Sequence, residues 1–130
     1  MGFRLQSAPG VVIANSTGSG GEQVFMQLGP IGPAAGSPVL LFYTISYVAT
    51  AGALNVRISI RRGNGPAGVL ILTLSDFVAV AGQLVERSGC MIDIPGADSG
   101  GSLYSLDVNN ITAGTATVFA ENQFFAFTLG

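Results

Sequence analysis

Two neighbouring strands of different kinds constrain this chain more than any other feature. Leu54–Arg61 reads LNVRISIR, with Leu54, Val56, Ile58 and Ile60 on one face and Asn55, Arg57, Ser59 and Arg61 on the other. A period of two describes a strand with one dry face and one wet face. The strand before it, Pro38–Val48 (PVLLFYTISYV), is apolar on both faces over its first half. Val39, Leu41 and Tyr43 lie on one side, Leu40 and Phe42 on the other. Such a strand must be covered on both sides. The core supplies one cover. The other points to a hidden surface.

The rest of the chain continues in short strands and turns. Gln23–Leu28 is a strand, and Gly29-Pro30-Ile31-Gly32-Pro33 reads as the loop that ends it. Ala49–Ala53 joins the central pair, and Arg61–Gly68 (RRGNGPAG) is a tight turn. Val69–Leu74 (VLILTL) is again apolar on both faces, and Phe77–Val80 and Leu84–Val85 flank Gly82. Gly89–Ile94 alternates, placing Cys90, Ile92 and Ile94 together. Leu103–Val108, Thr115–Ala120 and Gln123–Leu129 follow, with Phe125, Phe127 and Leu129 sharing a face. No window carries a helical apolar period. The pattern predicts an all-β chain, a β-sandwich or barrel with an N-terminal extended arm. The strand that ends one residue before the C-terminus suggests a buried last strand, as in an antiparallel jelly-roll β-sandwich.

The arm is the first 21 residues, ahead of a jelly-roll domain over 22–130. Its apolar pieces, Phe3–Leu5 and Val11–Ala14, precede Asn15–Gly21 (NSTGSGG), which has the composition of a flexible linker. Two placements are open. Either the arm is a first strand of the same domain followed by a surface loop, or Phe3, Leu5, Val11, Val12 and Ile13 dock on a neighbouring subunit's sheet edge.

Charge narrows the chemistry. Only 9% of the 130 residues are charged, against about 25% in an ordinary soluble protein, so the surface is poor in charge. The net charge of −2 argues against nucleic-acid binding. No run approaches the ~18 apolar residues of a membrane-spanning helix, and the N-terminus shows no secretory signal core. Without His or Lys, the usual nucleophile–base arrangements are excluded, and the scattered acids suggest no glycosidase pair, so the chain reads as a non-enzyme. No cofactor or metal is expected. Asp93, Asp98 and Asp107 bracket a Gly/Ser loop, but their spacing fits solvated turns better than a calcium loop. Arg57, Arg61 and Arg62 form a small basic group suited to pairing with acids, including acids across a subunit boundary. The lone Cys90 is most simply a buried small apolar residue; the sharper reading is an intermolecular disulfide.

The closing segments, IDIPGADSGGSLYSLDV (Ile92–Val108) and GTATVFAENQFFAFTLG (Gly114–Gly130), resemble the last strands of small jelly-roll domains. These are the tumour-necrosis-factor-like domains of bacterial spore-surface appendages and of phage fibre or decoration proteins. The resemblance implies a threefold trimer and brings no catalytic residues with it. It implies a structural, self-assembling subunit on the extracellular surface of a spore or phage particle, with filaments as one outcome. The chain's own partner is then another copy of itself. Leu40, Phe42, Val69, Ile71 and Phe124 are the residues expected to pack between subunits. A receptor- or glycan-binding tip module is the alternative, with Tyr43, Tyr47 or Tyr104 as its exposed aromatics.

Overall fold

The computed structural model describes residues 5–9, 11–12, 16–18, 21–31, 37–49, 54–63, 65–74, 77–94, 102–110, 115–118 and 122–129. Its strands are β1 (Leu5–Pro9), β2 (Val11–Val12), β3 (Ser16–Gly18), β4 (Gly21–Ile31), β5 (Val39–Ala49) and β6 (Leu54–Arg62). After a 3-10 turn at Gly65–Ala67 come β7 (Val69–Thr73), β8 (Phe77–Ala79), β9 (Leu84–Asp93), β10 (Ser102–Asn110), β11 (Thr115–Val118) and β12 (Gln123–Leu129).

They form two antiparallel sheets. In sheet A, β5 is central. It pairs with β9 from Val39 to Val48 on one flank, and on the other with β12 (Val39–Thr44) and β11 (Tyr47–Ala49). β1 lies outside β12 and β3 outside β11. Sheet B runs β2-β4-β10-β6, with β7 and β8 sharing the far side of β6. From β4 onward the chain crosses repeatedly between the sheets, which is the winding of a jelly roll.

Alternation builds the core. The inward faces carry Val39, Leu41, Tyr43, Ile45 and Tyr47 from β5, and Val56, Ile58 and Ile60 from β6. Leu106 and Val108 of β10 and Phe124 and Ala126 of β12 complete the layer. One departure from strict period two has a local cause. The register of β4 against β10 passes from Leu106↔Met26 to Asp107↔Val24, so Phe25 is the extra residue of a bulge. Consecutive Phe25 and Met26 are consequently both buried.

Three sequence expectations change here. Gly29-Pro30 does not end β4, which reaches Ile31. A second register shift leaves those residues between the Leu28↔Tyr104 and Ile31↔Ser102 pairs, where a proline costs no ladder bond. Leu84–Val85 and Gly89–Asp93 are ends of one strand. The N-terminal segment is divided between both sheets of its own chain: β1 on β12, β2 on β4, and β3, within the expected linker, on β11. The last strand is interior, between β1 and β5, as expected.

Because β1 completes the flank of β12 in its own chain, deleting residues 1–9 is expected to lower the thermal midpoint by several degrees. The assembly mass in light scattering should not change. A smaller assembly at an unchanged midpoint would place the arm on a neighbour instead.

Candidate functional site

Side chains of even-numbered β5 residues leave the core and project from the outer face of sheet A. The ladder fixes what stands beside them. Leu40 is flanked by Ile92 and Phe127, Phe42 by Cys90 and Phe125, and Thr44 by Ser88 and Gln123. Two apolar rows therefore lie next to a polar one. Phe42 is 39% exposed and Ile92 62% exposed. The Phe42 and Phe127 rings meet edge to face, with centroids 5.7 Å apart and planes at 81°. At the step from the Phe42 row to the Thr44 row the face opens into a cleft of about 320 Å³, with Phe42, Phe125 and Cys90 beside Thr44, Ser88 and Gln123. None of these three rows contains a charged residue. Beyond them, Ser46 donates its backbone N–H to Asn122 Oδ1 at 2.7 Å, which ties the approach of β12 to β5.

The structure separates the residues expected to pack between subunits. Leu40 and Phe42 are on this face. Val69 is exposed and Ile71 half-buried on β7, in the other sheet. Phe124 is 1% exposed, a core residue with no surface to offer a neighbour. Its strand neighbours Phe125 and Phe127 hold the outward positions, and their shared phase was visible in the sequence. Cys90 is exposed rather than buried: on this edge strand the inward positions belong to Gly89, Met91 and Asp93. Tyr43, Tyr47 and Tyr104 are buried, so they do not form the exposed cluster of a binding tip. Phe3 and Ile13 lie outside the described residues, and Leu5, Val11 and Val12 belong to β1 and β2.

Arg61 and Arg62 engage acids of their own chain, while Arg57 is exposed. Arg61 donates Nε and Nη2 to the Glu22 carboxylate at 2.9 and 3.2 Å, and Nη1 to the carbonyl of Gly68 at 2.9 Å. This clasps the 61–68 turn across sheet B. Asp107, fully buried beneath it, lies 3.7 Å from Arg61 Nε and makes no hydrogen bond through either oxygen. Arg62, on the opposite face of β6, reaches across to sheet A and pairs with Asp93 at 3.1 Å. Asp93 also accepts the Tyr104 hydroxyl at 2.8 Å, and burial together with that bond holds Tyr104 well above its ordinary pKa. Asp93 and Asp107 are thus buried, not solvated turn residues; Asp98 lies outside the described residues. Among the described residues no three acids or thiols gather as a metal site.

Burial pushes the Asp107 carboxyl up to about 7, and neighbouring Glu22 adds to the shift while Ser105 and Arg61 oppose it. The folded state thus keeps a proton that the unfolded chain loses near pH 3.8. Stability should fall as pH rises from about 4 to about 7, and the loss is complete above that range. Asp107→Asn is expected to flatten this slope and raise the urea midpoint at pH 8 relative to the parent. Parallel pH profiles for the two proteins would contradict it.

No protein-family model matches the chain, and no curated protein does. Solved structures do. A structure of infectious bursal disease virus, Gt strain, superposes with a TM-score of 0.65 at 9% identity, over 95% of this chain and 33% of that one. The T13 particle of the same virus gives 0.62 at 9% identity, over 97% of this chain and 31% of that one. The chain therefore spans about a third of the length of these viral chains. The Eiger TNF of S. frugiperda gives 0.57 at 10% identity and is matched almost end to end, over 95% and 91%. At such identities the likeness speaks for fold alone. In fold, this chain is a jelly roll of the kind found in viral particles and in tumour-necrosis-factor-like proteins.

Proposed function

We propose that this chain is a structural subunit of a particle-surface or extracellular assembly. Copies pack through the outer face of sheet A, in the trimer that the resemblance to tumour-necrosis-factor-like domains implies. The observation that carries this reading is the pair of apolar rows formed by Leu40, Ile92 and Phe127 and by Phe42, Cys90 and Phe125. An outward sheet face that stays wet is normally polar; this one presents aromatic and aliphatic side chains with no charge among them. Stable association needs about 800 Å² buried on each partner, and a charge-free centre meets that need without stranding ions. The Eiger TNF and viral-particle neighbours support the choice of a jelly roll as a building unit.

A second reading rests on the cleft. Aromatic walls beside Thr44, Ser88 and Gln123 suit a small polar ligand such as a glycan, and saturable binding on a glycan array would favour it.

The first reading is tested by mass. The purified chain should scatter as a multiple of 13.2 kDa at micromolar concentration. Phe42→Asp and, separately, Phe127→Asp should each shift it toward the single-chain mass while retaining the strand circular dichroism. A parent protein that is already monomeric would overturn the proposal.

A further inference from the structure

The edges of the two sheets are unequal. Among the described residues, most border strands are short: β1 has 5 residues and includes Pro9, β2 has 2, β3 has 3, β7 has 5 and β8 has 3. Short pieces, prolines, lysines and other charged side chains, and bulges are the usual means of keeping an edge from pairing with another chain. β9 is long and has no proline, lysine or bulge; its charges are the adjacent Glu86 and Arg87, and Asp93, which is buried at its end. It runs for 10 residues and pairs with β5 from Leu84 to Asp93 without a register shift. No described strand pairs with its other side. Its side chains are open to solvent over most of its length, with Leu84 51% and Ile92 62% exposed.

We infer that this edge is a self-pairing site, where two copies join β9 to β9 antiparallel about a two-fold axis at Ser88. Such an axis, perpendicular to the sheet, keeps outward residues outward in both copies, and the sequence then selects among centres. With Ser88 at the axis, Leu84 stands opposite Ile92, Val85 opposite Met91, Glu86 opposite Cys90, and Arg87 opposite Gly89. Apolar meets apolar at both ends, and no charge directly faces a like charge. Centres at Glu86 or Arg87 put that residue against its own copy. A centre at Gly89 sets Glu86 against Ile92 and Arg87 against Met91. A centre at Cys90 sets Glu86 against Ile94 and draws Arg87 to Asp93, which Arg62 and Tyr104 already engage.

The partner is therefore a second copy of this chain, held by an isologous main-chain ladder. This contact is independent of the packing proposed above. The ladder lies in the plane of sheet A, whereas the Leu40 and Phe42 rows project from it. A chain that uses both contacts links its closed units into a continuous lattice or filament.

Thiol cross-linking tests the register. In the Cys90→Ser background, Ser88→Cys places the thiol directly opposite its copy, within disulfide reach. In the parent, Cys90 would be about 13 Å from its copy along the strands. With diamide as oxidant, Ser88→Cys/Cys90→Ser should give a disulfide-linked dimer at least about tenfold faster than the parent. The same rate should persist after Phe42→Asp is added, which separates this contact from the outer-face packing. Absence of the cross-link, or a parent that cross-links as fast, would overturn the inference.

Discussion

Most of this molecule depends on the two-sidedness of β5. Its odd-numbered residues, Val39 to Tyr47, form the inner wall of the core and are at most 6% exposed. Its even-numbered residues set the spacing of everything on the outer face. Because β9, β11 and β12 all hydrogen-bond to it, β5 places the outward side chains of its neighbours in common rows. Displacing one of those registers by a residue would exchange Phe124 with Phe125, or Cys90 with Met91, and carry a core residue into solvent. The core thus specifies the outer surface: the same ladder that buries Phe124 and Ala126 obliges Phe125 and Phe127 to project.

Sheet B solves a different problem. Its outer side is covered in part by the chain's own 61–68 turn, and consecutive arginines on opposite faces of β6 do the fastening. Arg61 holds the turn and Glu22 on the outside, while Arg62 reaches the Asp93–Tyr104 pair on the inside. In a chain with so few charges, three of the seven acids are used in these two clusters. That concentration leaves the Leu40, Phe42 and Thr44 rows on the outer face of sheet A uncharged, with Glu86 of β9 beside Ser46 beyond them. It also leaves Asp107 buried near two charged neighbours with no hydrogen bond of its own, so part of the molecule's stability is tied to keeping a proton there.

The alternation of Leu54–Arg61 and the double apolarity of Pro38–Val48 were legible in the sequence, and with them the all-β class and the exposed remainder of β5. The phase of Phe125 and Phe127 was legible too, but alternation says which residues travel together and not which set faces the core, so Phe124, expected between subunits, lies in the core instead. The same holds for Cys90. It shares a phase with Ile92 and Ile94, which looks like a core face, but on an edge strand the core has room for Gly89 above Tyr43 and for Asp93 beside Tyr104. A Cβ at Gly89 would come within 2.8 Å of the Tyr43 hydroxyl, so the small residue is required inside and the apolar ones are turned out. The bulge at Phe25, the cis-chain pairing of β1 and the pairing of Arg61 with Glu22 all depend on partners 30 or more residues away, and no local pattern encodes those.

The two open surfaces on sheet A differ in how much each can specify. An apolar face is non-directional: it favours association but tolerates many geometries, and the rows around Phe42 alone do not choose between a trimer and a slipped pair. A strand edge is the reverse. Each main-chain bond contributes only about 1 kcal/mol net, yet the ladder admits only discrete registers, and Glu86 and Arg87 make most of those unfavourable. A surface that supplies affinity and an edge that supplies register are complementary requirements for an ordered assembly. On the proposed packing and edge pairing, this chain carries them on adjacent strands of one sheet, so that one ladder, β5 with β9, would relate the direction of one contact to that of the other.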